Sequence, residues 1–183
     1  MGLKDRVGLI TGGARGIGLA EARALAAEET AIAICDIDLD AAEVAVSDLA
    51  RDFGVVARAY RCDVTKEDEV AALFANVVSD FGALHILVNN AGIAGKWVGK
   101  TIEEMSFEHW DIMMRTHLDS TFLCTRAAIP LMREAGFGRI INTSSMNVVG
   151  GGRPGNANYT TAKAGIHGFT RVVAKEVGSM GIT

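Results

Sequence analysis

Proline, cysteine and long apolar runs are all scarce in this chain, and each shortage removes a class of protein. Only two of the 183 residues are proline and neither marks a linker, so we expect one domain spanning residues 1–183. The three cysteines, Cys35, Cys62 and Cys124, lie far apart with no CxxC pair and no histidine at ligand spacing. This pattern favours buried, reduced thiols in a cytoplasmic protein and predicts neither disulfides nor a metal site.

Charge and hydropathy exclude two kinds of partner. The formal net charge is −4 and the Lys and Arg residues are scattered, so we expect no nucleic-acid partner. No apolar run approaches the length of a membrane span, and the first residues lack a signal peptide, so we expect no membrane partner. With 49% hydrophobic and 22% charged residues, the chain is expected to be globular with a sizeable core.

Short apolar runs alternate with longer segments of helical period, which is typical of a parallel β-sheet with crossover helices. The predicted strands are residues 7–11, 31–36, 55–61, 86–90 and 139–144. The predicted helices are residues 16–28, 39–53, 66–81, 107–133 and 159–177. Thr65 and Ser106 are expected to cap the third and fourth helices, and Pro130 is expected to kink or end the fourth.

A glycine-rich turn, TGGARGIG, connects the first predicted strand to the first predicted helix. Gly12, Gly16 and Gly18 permit positive φ in a tight turn, close approach of a pyrophosphate, and packing of the helix on the strand. The phosphates would meet the N-terminus of the helix. The spacing is GxxxGxG rather than the more widespread GxGxxG, and an ordinary glycine turn is the alternative.

Acidic residues end the next two predicted strands. Asp36 stands 18 residues after Gly18, near the spacing at which a carboxylate meets the adenosine ribose hydroxyls, and it would repel a 2′-phosphate. Arg15 could instead pair with that phosphate. We weight Asp36 more heavily and expect NAD, with NADP less favoured. Asp63 and Val64 are expected to meet the adenine ring, and a plain turn is the alternative.

Tyr159 and Lys163 stand four residues apart at the start of the last predicted helix, so they share one helix face. The ammonium would favour the phenolate and make the tyrosine a usable acid or base. The predicted strand GRIINTSSMN ends just before them with Ser144 and Ser145. Since ligands of open α/β sheets bind at the carboxyl ends of strands, these groups and a nicotinamide are expected to converge. A surface pair at a helix start is the alternative.

Five motifs stand in one order: TGGARGIG, Asp63–Val64, NNAG at 89–92, the serine strand, and YTTAK at 159–163. In this they resemble the short-chain dehydrogenase/reductase family over nearly the whole chain. The resemblance implies a doubly wound Rossmann sheet beginning with strand order 3-2-1-4-5, and a homodimer or homotetramer. It also implies hydride transfer between NAD and a secondary alcohol or ketone.

The resemblance assigns roles to individual residues. Tyr159 becomes the acid/base, Lys163 its modulator and a ribose ligand, and Ser145 the substrate-orienting hydroxyl, with Ser144 as the alternative. Cofactor contacts are expected from the glycine turn, including Ile17, from Asp36, Asp63 and Val64, and from Asn89, Asn90, Ala91 and Gly92.

Three features depart from the family. Ser145 precedes Tyr159 by 14 residues, one more than expected. His117 stands where most members have an asparagine, and it is expected either to act in catalysis or only to pack a helix. The chain stops at SMGIT, before the family's sixth and seventh strands and its substrate lid, which predicts a C-terminally truncated Rossmann domain with residues 139–144 at the sheet edge.

Two other functions stay open. One is a catalytically silent NAD-binding or oligomerisation module, and the other is an epimerase or dehydratase of the related extended type, which also uses YxxxK. The substrate is not specified by the sequence. 3-Hydroxyacyl thioesters, hydroxysteroids and sugar alcohols are all compatible with it, and the first class is favoured.

Overall fold

The computed structural model describes residues 2–183, which form a three-layer α/β structure around one parallel sheet. Its strands are β1 (Val7–Thr11), β2 (Ala31–Asp36), β3 (Ala57–Arg61), β4 (Ile86–Asn89) and β5 (Arg139–Asn142). They follow the order β3-β2-β1-β4-β5, and every adjacent pair is parallel. The predicted Rossmann-type order is confirmed. After β3 the chain crosses back to the other side of β1 and continues with β4. The boundary between β1 and β4 is therefore the switch point of the sheet, which is where open α/β sheets form their ligand crevice.

Within residues 2–183, seven α-helices connect and cover the strands. They are α1 (Gly16–Ala27), α2 (Leu39–Phe53), α3 (Glu67–Phe81), α4 (Phe107–Met113), α5 (Ser120–Glu134), α6 (Met146–Val149) and α7 (Ala157–Val177). Alternate strand residues face opposite layers. Leu9 and Leu87 belong to a core with α3 and α5, whereas Ile10 and Ile34 belong to a core with α1 and α2.

The predicted long helix 107–133 is interrupted. A π-helical segment, Met114–Asp119, separates α4 from α5, and such segments are frequent at functional sites. Pro130 was expected to kink or end this helix, and it does not end it, because α5 continues to Glu134. Ala128 and Met132 on its inner face are buried while Pro130 is exposed, so packing holds the helix through the proline.

Helix capping follows the prediction at one site and departs from it at another. The Ser106 hydroxyl accepts a hydrogen bond from the His109 N–H at 3.3 Å, as expected for the cap of α4. Thr65 does not cap α3, because its hydroxyl donates to the Asp63 carboxylate at 2.7 Å. The Thr65 hydroxyl, which was expected to cap the helix, is therefore bound to Asp63 instead.

The predicted open edge at β5 is partly covered. The C-terminal residues run parallel to the start of the strand, with a bridge between Gly138 and Ile182. Ile140 donates its N–H to the Thr183 carbonyl at 2.9 Å, and Thr183 donates to Gly138 at 3.0 Å. The remaining exposed edge lies nearer the end of β5, where Ile141 is exposed.

Candidate active site

A groove of about 790 Å³ runs across the carboxyl ends of the strands, and we call it the strand-end groove. Its size falls in the range of small-molecule and cofactor sites. Twelve predicted site residues line it: Gly12, Arg15, Ile17, Asp36, Asp63, Val64, Asn90, Ala91, Gly92, His117, Tyr159 and Lys163. The structure therefore brings most of the expected cofactor residues and the Tyr–Lys pair to one surface.

Three of the expected cofactor residues, Gly16, Gly18 and Asn89, are not among the residues that line the groove. Asn89 is buried and donates to Asn142 at 2.8 Å and to Thr125 at 3.1 Å, so it joins β4 to β5 and α5 rather than facing a ligand. Gly18 packs under the glycine turn. A Cβ at Gly18 would lie 2.4 Å from the Gly12 carbonyl oxygen, so only glycine fits there.

The N-terminus of α1 points its free N–H groups into the glycine turn. Among residues 2–183 no side chain caps this helix, and the described first turn holds no acidic residue. In contrast, the Asp38 side chain caps α2, whose first turn also contains Asp40. Gly16, at the start of α1, has φ +59°. Since an uncapped helix N-terminus with bare backbone attracts anions, this end of the groove suits a phosphate group.

Asn90 ties the glycine turn to the end of β4. Its side-chain amide donates to the carbonyls of Thr11 at 3.2 Å and Gly12 at 3.0 Å. The Thr11 hydroxyl in turn accepts from the N–H groups of Asn90 and Ala91, each at 3.1 Å. These bonds fix the two loops that flank the switch point of the sheet.

Asp36 is held by backbone at the far end of the groove. Its two carboxylate oxygens accept from the N–H groups of Ala14 at 3.2 Å and Asp38 at 3.1 Å. A carboxylate in this position can also accept from hydroxyl groups of a ligand. Asp63 lines the same end, and its carboxylate accepts from the N–H of Thr65 at 3.0 Å.

Tyr159 and Lys163 stand side by side on α7, with the Lys163 Nζ 5.9 Å from the centre of the tyrosine ring. Lys163 is only 4% exposed, and its Nζ donates to the Thr143 carbonyl at 2.6 Å. Burial lowers the pKa of Lys163 from 10.5 to about 8. Because an ammonium has three donors, two remain for a ligand in the groove.

His117 lies in the π-helical segment and packs edge-on against the Tyr159 ring, with ring centres 5.4 Å apart. Its Nε2 lies 2.9 Å from the Ile93 carbonyl oxygen and 3.2 Å from the Ile93 nitrogen. Burial, with a further contribution from the Lys163 charge, lowers the pKa of His117 to about 4, so the ring is neutral near pH 7. A neutral ring nitrogen either donates or accepts, so it serves one of the two Ile93 groups at a time.

The other ring nitrogen of His117, Nδ1, is buried and has no hydrogen-bond partner within the described chain. The ring itself is closely confined. A Cβ at Gly92 would lie 2.5 Å from its Cε1 atom, so Gly92 provides the space that the imidazole occupies. His117 therefore connects the 90–93 loop to the ring of Tyr159.

The two candidate serines differ in what their hydroxyls do. Ser144 lines the groove, but its Oγ donates to the Lys163 carbonyl at 3.1 Å. Ser145 precedes α6, and its Oγ accepts from the Asn147 N–H at 3.2 Å. Ser145, the serine expected to orient the substrate, is not among the residues that line the groove. Because its hydroxyl only accepts, its own hydrogen stays available for donation.

Several residues of the site were missed by the sequence interpretation. Asn158 is fully buried and donates to the carbonyls of Trp97 at 2.9 Å and His109 at 2.8 Å, which anchors the start of α7 to two other segments. Trp97 and Ile112 line the groove near the Tyr–Lys pair. Asn158 precedes Tyr159 directly, which was the available signal, whereas nothing in the local sequence marks Trp97.

Within residues 2–183, no cluster of three or more His, Cys, Asp or Glu side chains is arranged to hold a metal ion. Over the same described range, none of the helices combines the length and apolar character needed to cross a bilayer. The three cysteines are buried free thiols.

By fold and site, the chain is a Rossmann-type domain with a Tyr–Lys pair in its strand-end groove. A family model described as short chain dehydrogenase matches residues 6–183. The chain therefore belongs to the short-chain dehydrogenase family, as the resemblance of its motifs predicted.

Individual relatives agree with this assignment. The chain is 43% identical over 180 residues to an uncharacterized oxidoreductase of Mycobacterium bovis, covering 98% of this chain and 70% of that protein. It is 40% identical over 182 residues to a 3-oxoacyl-[acyl-carrier-protein] reductase of Synechocystis sp., covering 99% and 72%. A solved structure of NAD+-bound xylitol dehydrogenase superposes with a TM-score of 0.93 at 35% identity, covering 98% of this chain and 68% of that one.

Proposed function

We propose that the chain is an NAD-dependent oxidoreductase that transfers a hydride between nicotinamide and a secondary alcohol or ketone. The observation that carries this proposal is the placement of Tyr159 and Lys163 in the same groove as the glycine turn. When bound, the dinucleotide supplies the hydride acceptor or donor. Oxidation breaks the carbinol C–H bond with its electron pair leaving as hydride, and the O–H proton goes to the Tyr159 oxygen, so a ketone forms.

Each residue of the pair, with Ser145, has a distinct task. Tyr159 takes or gives the proton, and the Lys163 ammonium stabilises the phenolate during transfer. The two free donors of Lys163 suit the ribose hydroxyls of the dinucleotide. Ser145 donates its remaining hydrogen to the substrate oxygen and so fixes the reacting carbon.

Asp36 and the uncapped α1 N-terminus support a dinucleotide without a 2′-phosphate. The helix N-terminus would hold the pyrophosphate, and the Asp36 carboxylate would accept from the adenosine ribose hydroxyls while repelling a 2′-phosphate. Asp63 and Val64 would contact the adenine. The similarity to an NAD+-bound xylitol dehydrogenase is consistent with this choice.

For the substrate, we favour a 3-hydroxyacyl or 3-oxoacyl thioester over hydroxysteroids and sugar alcohols. The groove near Tyr159 is lined by Ile93, Trp97 and Ile112, which suit an apolar chain. A relative named as a 3-oxoacyl-[acyl-carrier-protein] reductase gives further support.

We also propose a homodimer or homotetramer in the cytoplasm. The helices α4, α5 and α7 carry exposed apolar side chains, including Phe107, Phe122 and Val172, which are 79%, 43% and 57% exposed. Buried free thiols suit a reducing compartment.

Tyr159→Phe tests the mechanism, because it removes the proton acceptor and keeps the ring that packs on His117. With a panel of secondary alcohols and NAD+, turnover is expected to fall by at least about 100-fold. The dissociation constant for NADH, measured by fluorescence titration, is expected to stay within about two-fold. Equal turnover in the variant would remove Tyr159 from the mechanism. A wild type that binds NADH and oxidises no alcohol in the panel would indicate the silent binding module instead.

A further inference from the structure

A third acidic residue, Asp38, lines the end of the strand-end groove where Asp36 and Asp63 lie and where the adenosine of NAD would bind. The proposed function gives this residue no role. Asp38 lines the groove and stands two residues beyond Asp36, just before α2. One of its carboxylate oxygens accepts from the Ala41 N–H at 3.1 Å, which caps the helix. The other accepts a hydrogen bond from the Arg15 guanidinium.

Arg15 is the one Lys or Arg side chain at this end of the described groove lining, since Lys163 lies at the other end. It belongs to the glycine turn, where a guanidinium is well placed to pair with a 2′-phosphate. In this structure the guanidinium is instead paired with Asp38, and the two side chains are 68% and 46% exposed. The cation that would favour NADP is thus engaged by a carboxylate.

The helix cap makes Asp38 a well-placed partner. Its hydrogen bond to Ala41, with a smaller contribution from Arg15, lowers the pKa of the Asp38 carboxyl, so the group is charged near pH 7. Because the cap bond restrains the carboxylate, Arg15 pairs with an acceptor whose position is set by the backbone.

We propose that Asp38 is a specificity-determining residue that reserves the groove for NAD by holding Arg15 in an ion pair. This inference rests on the proposed NAD-dependent function and adds a second selectivity element to Asp36. Asp36 acts by direct repulsion of a 2′-phosphate, whereas Asp38 acts through the cation that would neutralise the phosphate.

The expected effect is modest because the pair is exposed. Exposed ion pairs interact weakly, so the expected change in a dissociation constant is only about five-fold. The ratio of the NADPH to the NADH dissociation constant is the appropriate readout, since general changes in the groove affect both cofactors and cancel in the ratio.

Asp38→Asn is the central variant, because asparagine caps a helix as well as aspartate does but carries no charge. It is expected to lower the NADPH/NADH ratio of dissociation constants by about five-fold. Asp38→Ser, with another good capping side chain, is expected to act in the same direction. Thermal melting checks that both variants are folded.

Arg15→Gln separates the ion pair from simple repulsion by Asp38. In the Arg15→Gln background, Asp38→Asn is expected to change the ratio by less than about two-fold. An equal change in both backgrounds would overturn the proposal, since Asp38 would then act on the phosphate without Arg15. An unchanged ratio in folded Asp38→Asn and Asp38→Ser would also overturn it. Loss of the proposed function is a separate result, recognised when the wild type fails to bind NADH.

Discussion

The buried ammonium of Lys163 should leave a measurable signature in the pH dependence of stability. Its pKa is about 8 in the folded protein and 10.5 ordinarily, so between these values the unfolded chain holds more protons than the folded one. Stability therefore rises with pH across this window and falls as the pH drops towards 8. The full cost of burying the charge is about 3 kcal/mol at 1.36 kcal/mol per pKa unit, and about 2 kcal/mol of it is recovered between pH 7 and 9.5.

Lys163→Met removes the titrating group and keeps a long side chain. The free energy of unfolding would be measured by urea denaturation of the cofactor-free wild type and variant at pH 7 and 9.5. We expect the difference, wild type minus variant, to increase by about 2 kcal/mol from the lower to the higher pH. The pKa of the Cys35 thiol is raised by a hydrogen bond with Cys62 and by burial, and burial raises the pKa of the Cys124 thiol. Both thiols are present in the wild type and in the variant, so their contributions cancel in the difference.

Lys175→Met is the matched control, because Lys175 lies on the same helix but is exposed. Its difference from the wild type should be the same at both pH values. A Lys163→Met difference that does not change with pH would contradict this prediction, since the ammonium would then be solvated in the folded state. Loss of turnover in Lys163→Met would not by itself support the prediction, because it does not report on the pH dependence of stability.

Two further predictions concern the glycine turn and His117. Gly18→Ala places a methyl group against the Gly12 carbonyl, so we expect the free energy of unfolding to fall by about 1–3 kcal/mol and NADH to bind at least about tenfold more weakly. The control is Gly168→Ala, in open space on α7, which should leave stability unchanged or raise it. A wild-type affinity for NADH in Gly18→Ala would contradict the close approach of the helix to the glycine turn. The amide of His117→Asn can hydrogen-bond both the N–H and the carbonyl of Ile93, whereas the side chain of His117→Leu can bond neither. In urea denaturation at pH 7 we therefore expect His117→Leu to lower the free energy of unfolding by about 2 kcal/mol, and His117→Asn to lower it by less than half as much. Equal losses would show that the ring acts only by packing.

The main features of the fold could be predicted because they depend on local patterns. Apolar runs and helical periods located all five strands, and α2 was predicted to the residue. The predicted boundaries were wrong where one element follows closely on another. β3 begins at Ala57 rather than at 55, since Gly54 ends α2 in a left-handed conformation and the chain needs two more residues to enter the sheet.

The candidate site was predictable where one short motif carries the geometry. Tyr159 and Lys163 are neighbours because of helical spacing alone, and the glycine turn follows from its position between a strand and a helix. The ion pair between Arg15 and Asp38 was not predicted, because it joins two loops 23 residues apart. The π-helical segment around His117 was also missed, since its sequence has the apolar spacing of an ordinary helix.

The charged groups of the groove differ in what holds them, and this difference supports the roles proposed for them. Asp36 accepts from two backbone N–H groups, and Lys163 donates to a backbone carbonyl, so both charges are fixed before any ligand arrives. A preorganised charge costs little reorganisation when a cofactor binds, which suits the two groups expected to contact its riboses. Arg15 is paired with another side chain, Asp38, and both are partly exposed. Since that pair can exchange partners more readily than a backbone-anchored charge, cofactor preference should respond to Asp38 as well as to Asp36, whereas the affinity for either cofactor should depend on Asp36 and Lys163.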